Sequence, residues 1–109
     1  MTENLFRLLD GASAEEQVET LASGESVRIE RIVSTGQATP EGEWYNQVED
    51  EWVALLQGEA VLSYGDGRRL HLTAGDHILI SAHERHRVES TSSSPPCIWI
   101  AVHGGLTET

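Results

Sequence analysis

The sequence predicts an all-β protein, a barrel or sandwich of antiparallel strands built as one domain. At 109 residues the chain is long enough for one hydrophobic core but not for two. From Ser26 onward, segments rich in β-branched and aromatic residues recur about every 8–12 residues, with turn signals rather than long helical patterns between them. One of those signals, Gly65-Asp66-Gly67, contains the Asp-Gly pair that is typical of a hairpin turn.

The N-terminal part of the chain differs from the rest. Residues 13–16 read Ser-Ala-Glu-Glu and match a capping box, in which a serine is followed three residues later by a glutamate. Three apolar residues at helical spacing follow, and Gly24 ends the pattern. We therefore predict a short helix over residues 14–22 within an N-terminal segment (residues 1–24), followed by a β domain (residues 25–109).

The β segments follow one another with short connections. The first is dense in β-branched side chains, and the second is a short aromatic segment. A loop rich in serine and proline precedes the last one. The predicted strands are residues 27–34, 44–48, 51–56, 60–64, 70–72, 77–81, 86–89 and 97–102.

The composition is strongly acidic, with 18 acidic residues against seven arginines and no lysine, for a formal net charge of −11. Nucleic acid is therefore not expected as a partner, because binding to its backbone depends on a cationic surface. No apolar run approaches the length of a membrane span, and no secretory signal is visible, so no membrane partner is expected. Cys97 is the only cysteine, which fits a reducing compartment. Together these features predict a cytoplasmic protein.

Two stretches of the chain resemble the motifs of the cupin superfamily, Gly-x5-His-x-His-x4-Glu-x6-Gly and Gly-x5-Pro-x-Gly-x2-His-x3-Asn. Glu51 and Gly58 match the end of the first motif, and Gly75 and His86 match the second. The resemblance covers roughly residues 28–103 and is greatest to small single-domain cupins of the conserved-barrel type. It implies a cupin-type double-stranded β-helix, a jelly-roll-like barrel, preceded here by the predicted helix.

The resemblance also implies a metal site. In cupins two histidines, a glutamate and a third histidine bind one divalent metal inside the barrel. Here Glu51 and His86 keep their places, whereas Trp44 and Asn46 replace the two first-motif histidines, and His83 replaces a glycine. The implied ligands are therefore Asn46, Glu51, His83 and His86, for zinc, iron, manganese or nickel. Without a metal, His86 would instead pair with Glu51 as a buried polar pair.

Other residues near the motifs are candidates for chemistry or substrate binding. Glu51 is the candidate catalytic base. Trp44 offers a stacking face at the mouth of the pocket, and Arg85 and Arg87 flank the site, where they could orient a carboxylate. The expected ligand is a small polar or anionic molecule. The histidines expected to be structural are His71, His77 and His103.

The tryptophans predict self-association. If Glu51 faces the interior, Trp52 faces outward by strand alternation, and Trp99 is expected to do the same. Large outward aromatic side chains on a small barrel need a cover, supplied by the N-terminal segment or a second subunit. Small cupins resembling this chain commonly dimerise, so we predict a homodimer.

Two functions remain open. The first is a metal-binding cupin, for which the resemblance implies isomerase, lyase or dioxygenase chemistry. The second is a metal-free module that binds or senses a ligand without converting it. The loss of both first-motif histidines favours the second, whereas convergence of His83 on the site favours the first.

Overall fold

The computed structural model describes residues 2–8 and 15–109, which form two packed antiparallel β-sheets. The larger sheet has the strand order β1-β2-β8-β3-β6, and the smaller has the order β5-β4-β7. This arrangement confirms the predicted all-β class. The strands are β1 (Gln17–Ser23), β2 (Val27–Ser34), β3 (Asp50–Gln57), β4 (Glu59–Tyr64), β5 (Arg69–Thr73), β6 (His77–Ile80), β7 (His86–Thr91) and β8 (Cys97–Gly104).

The helix predicted over residues 14–22 is wrong, because most of this range belongs to the edge strand β1. Val18 pairs with Ile32, and the pairing continues along β2 with one irregularity. A neighbouring strand with a row of backbone partners overrides the local helical spacing. Ser13 and Ala14, which begin the capping box, lie outside the described residues. The part of the chain that the structure describes contains no helix, and thus none able to cross a membrane.

The hydrophobic core joins the inner faces of the two sheets. It contains Leu55 from the larger sheet and Leu62 and Leu72 from the smaller one. Trp99 belongs to the same cluster and is only 4% exposed, so the expectation that it faces outward is wrong. The reason is the position of β8 between β2 and β3, where side-chain alternation places Trp99 and His103 together on the inner face.

The segment of residues 37–47 forms the connection that brings the two motifs together. It lies along β7 but is not a regular strand, so the strand predicted over residues 44–48 is wrong, and only an isolated bridge between Tyr45 and His86 remains. Its backbone hydrogen bonds to β7 are Thr39 N to Val88 O (2.9 Å), Tyr45 N to His86 O (2.7 Å) and His86 N to Tyr45 O (3.2 Å).

Candidate functional site

A cavity of about 220 Å³ lies between the two sheets and is lined by residues from both. The hydrophobic core supplies part of its wall, including Trp99 and Leu62. Strands β2, β3, β7 and β8 supply most of the polar side chains, and the 37–47 segment adds two more. The polar residues at its wall are Glu16, Arg28, Glu30, Tyr45, Gln47, Glu51, His86 and His103.

Glu51 occupies the centre of the polar wall. Its Oε1 lies 3.9 Å from Nε2 of His86 and its Oε2 lies 3.7 Å from Nε2 of His103. Within residues 2–8 and 15–109, no donor comes within hydrogen-bonding distance of its side-chain oxygens. Burial raises the pKa of Glu51, and this effect outweighs the two neighbouring histidines, which lower it. The geometry therefore presents a largely buried carboxyl group that holds its proton to a higher pH than an exposed glutamate does.

A second carboxylate extends this arrangement along β2. Glu30 accepts a hydrogen bond from Nε of Arg28 at 2.9 Å and lies 2.9 Å from Nε2 of His103. His103 is thus placed between two glutamates, and Glu30 is held between a guanidinium and an imidazole. Both residues are largely buried, with 7% of the His103 side chain and 13% of the Glu30 side chain exposed. The result is a continuous polar chain from Arg28 to His86 along the cavity wall.

His86 is oriented by its backbone surroundings. Its Nδ1 lies 2.9 Å from the carbonyl oxygen of Glu84. A carbonyl only accepts, so Nδ1 is the donor, and in the neutral imidazole Nε2 then carries the lone pair that faces Glu51. The ring of Tyr45 stacks on the imidazole with centroids 5.5 Å apart. Burial raises the pKa of Tyr45, which keeps its hydroxyl protonated at the cavity wall.

The four residues predicted as metal ligands form two separate pairs. Glu51 and His86 face the cavity, whereas Asn46 and His83 are exposed and do not line it. Oδ1 of Asn46 instead lies 2.9 Å from Nδ1 of His83. His83 has a φ of 63°, a left-handed conformation suited to the glycine that it replaces in the motif, and its side chain turns away from the interior.

The three predicted substrate-binding residues lie together, but on the other side of the wall. The guanidinium carbons of Arg85 and Arg87 are 5.1 Å and 6.0 Å from the ring centroid of Trp44. Arg87 follows His86 on β7, where alternation sends its side chain to the face opposite to His86, and Arg85 directly precedes the strand. None of the three lines the cavity, so they form a cluster separate from Glu51.

Sequence reasoning missed the contributions of β2 and the end of β8. The sequence pattern predicts a structural role for His103 and singles out neither Glu30 nor Arg28, yet all three line the cavity. The only available signal was the alternation in residues 97–102, which, extended by one residue, places His103 on the same face as Trp99. For Glu30, polar side chains alternating with apolar ones normally indicate a solvent-facing row, so the sequence pattern pointed the other way.

Comparison with known proteins identifies the fold. The profile of the Cupin domain family matches residues 30–103. The solved structure of a candidate mannose-6-phosphate isomerase from Ralstonia eutropha JMP134 is 36% identical, covers 97% of this chain and 99% of its own, and superposes with a TM-score of 0.90. No curated protein matches the sequence significantly.

More distant structures share the fold alone. A cupin superfamily protein from Desulfitobacterium hafniense DCB-2 is 18% identical over 90% of this chain and 84% of its own, with a TM-score of 0.74. The polyketide cyclase RemF from Streptomyces resistomycificus is 20% identical over 84% and 66%, with a TM-score of 0.70.

Two packed antiparallel sheets around a polar cavity define a small β-barrel of the jelly-roll type. The family match extends over most of that barrel and includes both sheets. The chain belongs to the cupin superfamily and is a small single-domain cupin.

Cupins commonly bind a divalent metal inside the barrel, but the donors of this chain do not fit such an ion. Trp44 has no donor for it, and Asn46 and His83 are engaged with each other outside the cavity. The remaining nitrogen ligand beside His86 is His103, whose Nε2 lies 2.9 Å from Glu30. Among the residues that the structure describes, no group of three or more His, Cys, Asp or Glu side chains is arranged to hold a metal.

Proposed function

We propose that this protein is a small-molecule-binding cupin that takes a neutral, hydroxyl-rich molecule into its barrel without a metal ion. The carboxyl group of Glu51 carries the proposal, because it is buried, faces the cavity and lies between Nε2 of His86 and Nε2 of His103. A buried carboxyl without a hydrogen bond is costly, so it requires a partner. A ligand hydroxyl supplies one, since a hydroxyl donates to an ionised carboxylate and accepts from a protonated one.

The size of the cavity supports a small ligand. Its volume of about 220 Å³ lies below the range of about 300–1,000 Å³ that is usual for drug-sized molecules. The space suits a molecule of roughly one sugar ring, surrounded by the apolar core on one side and by hydrogen-bonding groups on the other.

The charge of the cavity supports a neutral ligand rather than an anion. Among the residues that the structure describes, the wall carries the carboxyl groups of Glu16, Glu30 and Glu51 and the guanidinium of Arg28. Arg28 is already paired with Glu30 at 2.9 Å. A phosphate or carboxylate would therefore meet repulsion that is strengthened by the low dielectric of the interior. Within the expected class of small polar or anionic molecules, we favour the neutral ones at this site.

The proposal is tested by calorimetric titration of neutral monosaccharides, beginning with D-mannose, against matched variants. Glu51→Gln keeps the size of the side chain but removes its acid–base chemistry, and we expect it to weaken binding about tenfold. Glu59→Gln is the control, because Glu59 is exposed and does not line the cavity. Equal affinity in wild type and both variants would contradict the assignment of Glu51.

Metal content is tested separately, by elemental analysis of untagged protein purified without added metal. We expect far less than one equivalent of zinc, iron, manganese or nickel per chain. One equivalent that is lost in His86→Ala would overturn the metal-free part of the proposal and would support the metal-dependent cupin instead.

A sugar isomerase is the second candidate, and the relative from Ralstonia eutropha favours it through 36% identity over nearly the whole chain. Aldose–ketose isomerisation moves a proton between neighbouring carbons, and a carboxyl group with a raised pKa suits that task. In this function Glu51 is the base, and Nε2 of His86 receives or returns its proton. Conversion of D-mannose to D-fructose in D₂O, followed by NMR, should show deuterium at carbon 1 of the ketose.

Glu51→Gln separates this candidate from simple binding. Isomerisation should fall at least about 100-fold in the variant, since the proton-transfer group is lost. If wild type converts no more substrate than Glu51→Gln does, the enzyme candidate fails and the binding function stands.

A further inference from the structure

The outer face of the β7 wall carries a cluster of two arginines and a tryptophan. The guanidinium carbon of Arg85 lies 5.1 Å from the centre of the Trp44 ring, and that of Arg87 lies 6.0 Å from it. Guanidinium groups at these distances interact with the ring face and lose freedom of movement. We call Trp44, Arg85 and Arg87 the outer arginine cluster.

The cluster is unusual in its charge. The chain has 18 acidic residues and only seven arginines, so carboxylates are abundant partners. Among the described residues, neither Arg85 nor Arg87 has a carboxylate within ion-pairing distance. Glu89, the acidic residue on β7 itself, is bound by Arg69 at 2.8 Å. The arginines that do form ion pairs are Arg28, Arg31, Arg68 and Arg69.

Arg87 is held in place by one hydrogen bond, but another of its hydrogen-bond donors has no acceptor. Its Nη2 donates to the carbonyl oxygen of Thr39 at 2.7 Å, which fixes the guanidinium on the 37–47 segment. Its Nε is buried and has no hydrogen-bond partner in the described structure. A buried donor without an acceptor is uncommon in proteins, but Nε has no surface open to an anion, so an anion would bind the terminal N–H donors that Thr39 does not use. Arg85, by contrast, is exposed, and its guanidinium is not hydrogen-bonded to any described residue.

We propose that the outer arginine cluster is an anion-binding site for the phosphate or carboxylate group of a small molecule, distinct from the barrel cavity. Both guanidinium groups lie within 6.0 Å of the centroid of the Trp44 ring, and a guanidinium provides the bidentate donors that phosphate and carboxylate oxygens require. Trp44 and Thr39 orient them before the anion arrives, which reduces the entropy lost on binding. The site does not depend on the function proposed for the cavity, since the two lie on opposite faces of the same wall.

The distribution of charge favours the outer arginine cluster over the cavity as the binding site for an anion. The cavity wall holds three carboxyl groups, whereas the outer cluster combines two positive charges with no carboxylate in contact among the described residues. A small anion therefore finds its most favourable described position outside the barrel.

The experiment is an NMR titration of the 15N-labelled protein with inorganic phosphate at low ionic strength, observing the indole N–H of Trp44 and the guanidinium Nε–H signals. We expect saturable shifts at millimolar phosphate, confined to the cluster. Arg85→Gln, at an exposed position, should weaken phosphate binding about tenfold, because a charge-assisted hydrogen bond is lost. Arg87→Lys keeps the positive charge but loses the planar guanidinium, so it should also weaken phosphate binding.

Two control variants test whether phosphate binds at the cluster itself. Arg69→Gln removes another exposed arginine, one that lies on the smaller sheet and is already paired with Glu89, and it should leave the affinity within about twofold. Glu51→Gln should also leave it unchanged, because Glu51 lies in the cavity. The proposal is overturned if no saturable shifts appear, or if Arg85→Gln and Arg69→Gln weaken phosphate binding equally. Weaker phosphate binding in Glu51→Gln would instead show that the anion binds in the barrel cavity.

Discussion

At the scale of single residues, the chemistry of the cavity depends on the balance of two opposing effects at Glu51. Two imidazoles within 4 Å favour its charged form, and burial disfavours it. Burial is the larger effect, so the pKa of Glu51 is raised. A carboxyl group in this condition holds its proton to a higher pH than an exposed glutamate does, which suits an acid–base role.

The raised pKa of Glu51 makes the free energy of unfolding depend on pH. The folded protein retains this proton at pH values where the unfolded chain has lost it, so the free energy of unfolding falls as pH rises from about 4.3 through the folded pKa. Glu51→Gln removes this titration. We expect the stability of the variant relative to wild type to increase from pH 5 to pH 8, as measured by urea denaturation.

The control for this prediction is Glu59→Gln, since the Glu59 side chain is 67% exposed. The free energy of unfolding of this variant, relative to that of wild type, should not change between pH 5 and pH 8. A relative stability of Glu51→Gln that decreases with pH would mean that the imidazoles, rather than burial, dominate at this site.

The sequence revealed only part of this site. Glu51 and His86 could be found because each occupies its motif position and each faces inward from a strand. Glu30 and His103 could not, because their roles depend on β2 and β8 being neighbours, and no local pattern encodes that pairing. The same limitation applied to Asn46 and His83, whose mutual contact depends on the left-handed turn at His83.

At the scale of secondary structure, the strands were predicted well where side-chain alternation and turn residues agreed. The first strand of the barrel domain was predicted with the bounds that β2 has. The edge strand β1 was missed because its apolar residues fall at helical spacing and six of its seven residues are exposed. Edge strands lack the two-sided packing that creates a clear pattern of period two, so local sequence misleads there most easily.

The turn between β3 and β4 offers a test at this scale. Gly58 has a φ of 92°, and a Cβ at this position would lie 2.7 Å from Oγ of Ser92 and 3.0 Å from Cα of Cys97. Gly67 has a similar φ of 95° but has nothing within 4 Å of such a Cβ. Gly67→Ala should therefore cost only the backbone strain, about 1–2 kcal/mol.

Gly58→Ala should cost the same strain plus about 1–3 kcal/mol for the steric conflict, since backbone as well as side chains must shift. Urea denaturation of the two variants measures the difference directly. Equal losses in both would show that the β3–β4 turn relaxes without strain.

At the scale of the whole molecule, the homodimer remains a prediction. Its contact surface, however, cannot be the pair of outward tryptophans that the sequence predicts. Trp99 is buried in the core, and the indole N–H of Trp52 lies 3.3 Å from Nδ1 of His77, so these tryptophans do not form one outward patch. Exposed apolar side chains are instead found on the N-terminal part, where Phe6 is 54% and Val18 is 57% exposed. β1 also presents an edge that a second copy can pair with.

Light scattering of the wild type should report twice the chain mass of 12.0 kDa. Val18→Glu places a charge on the exposed edge strand and should yield monomers, because the charge would be buried in the contact without a partner. Val48→Glu is the control, since Val48 is 79% exposed outside β1, and it should remain dimeric. A monomeric wild type at micromolar concentration would disprove the homodimer.

The attachment of the 37–47 segment to β7 also bears on how quickly a bound molecule can leave. The segment contributes Tyr45 to the cavity wall, and it is held to β7 by three backbone hydrogen bonds and by a few bonds that involve side chains, such as Arg87 Nη2 to the Thr39 carbonyl oxygen, rather than by a continuous ladder. Local opening that breaks only those bonds leaves both sheets intact, and such sub-global openings require far less free energy than unfolding. We therefore expect this segment to govern the residence time of a ligand in the barrel, and amide hydrogen exchange at Thr39 and Tyr45 should slow when the cavity is filled.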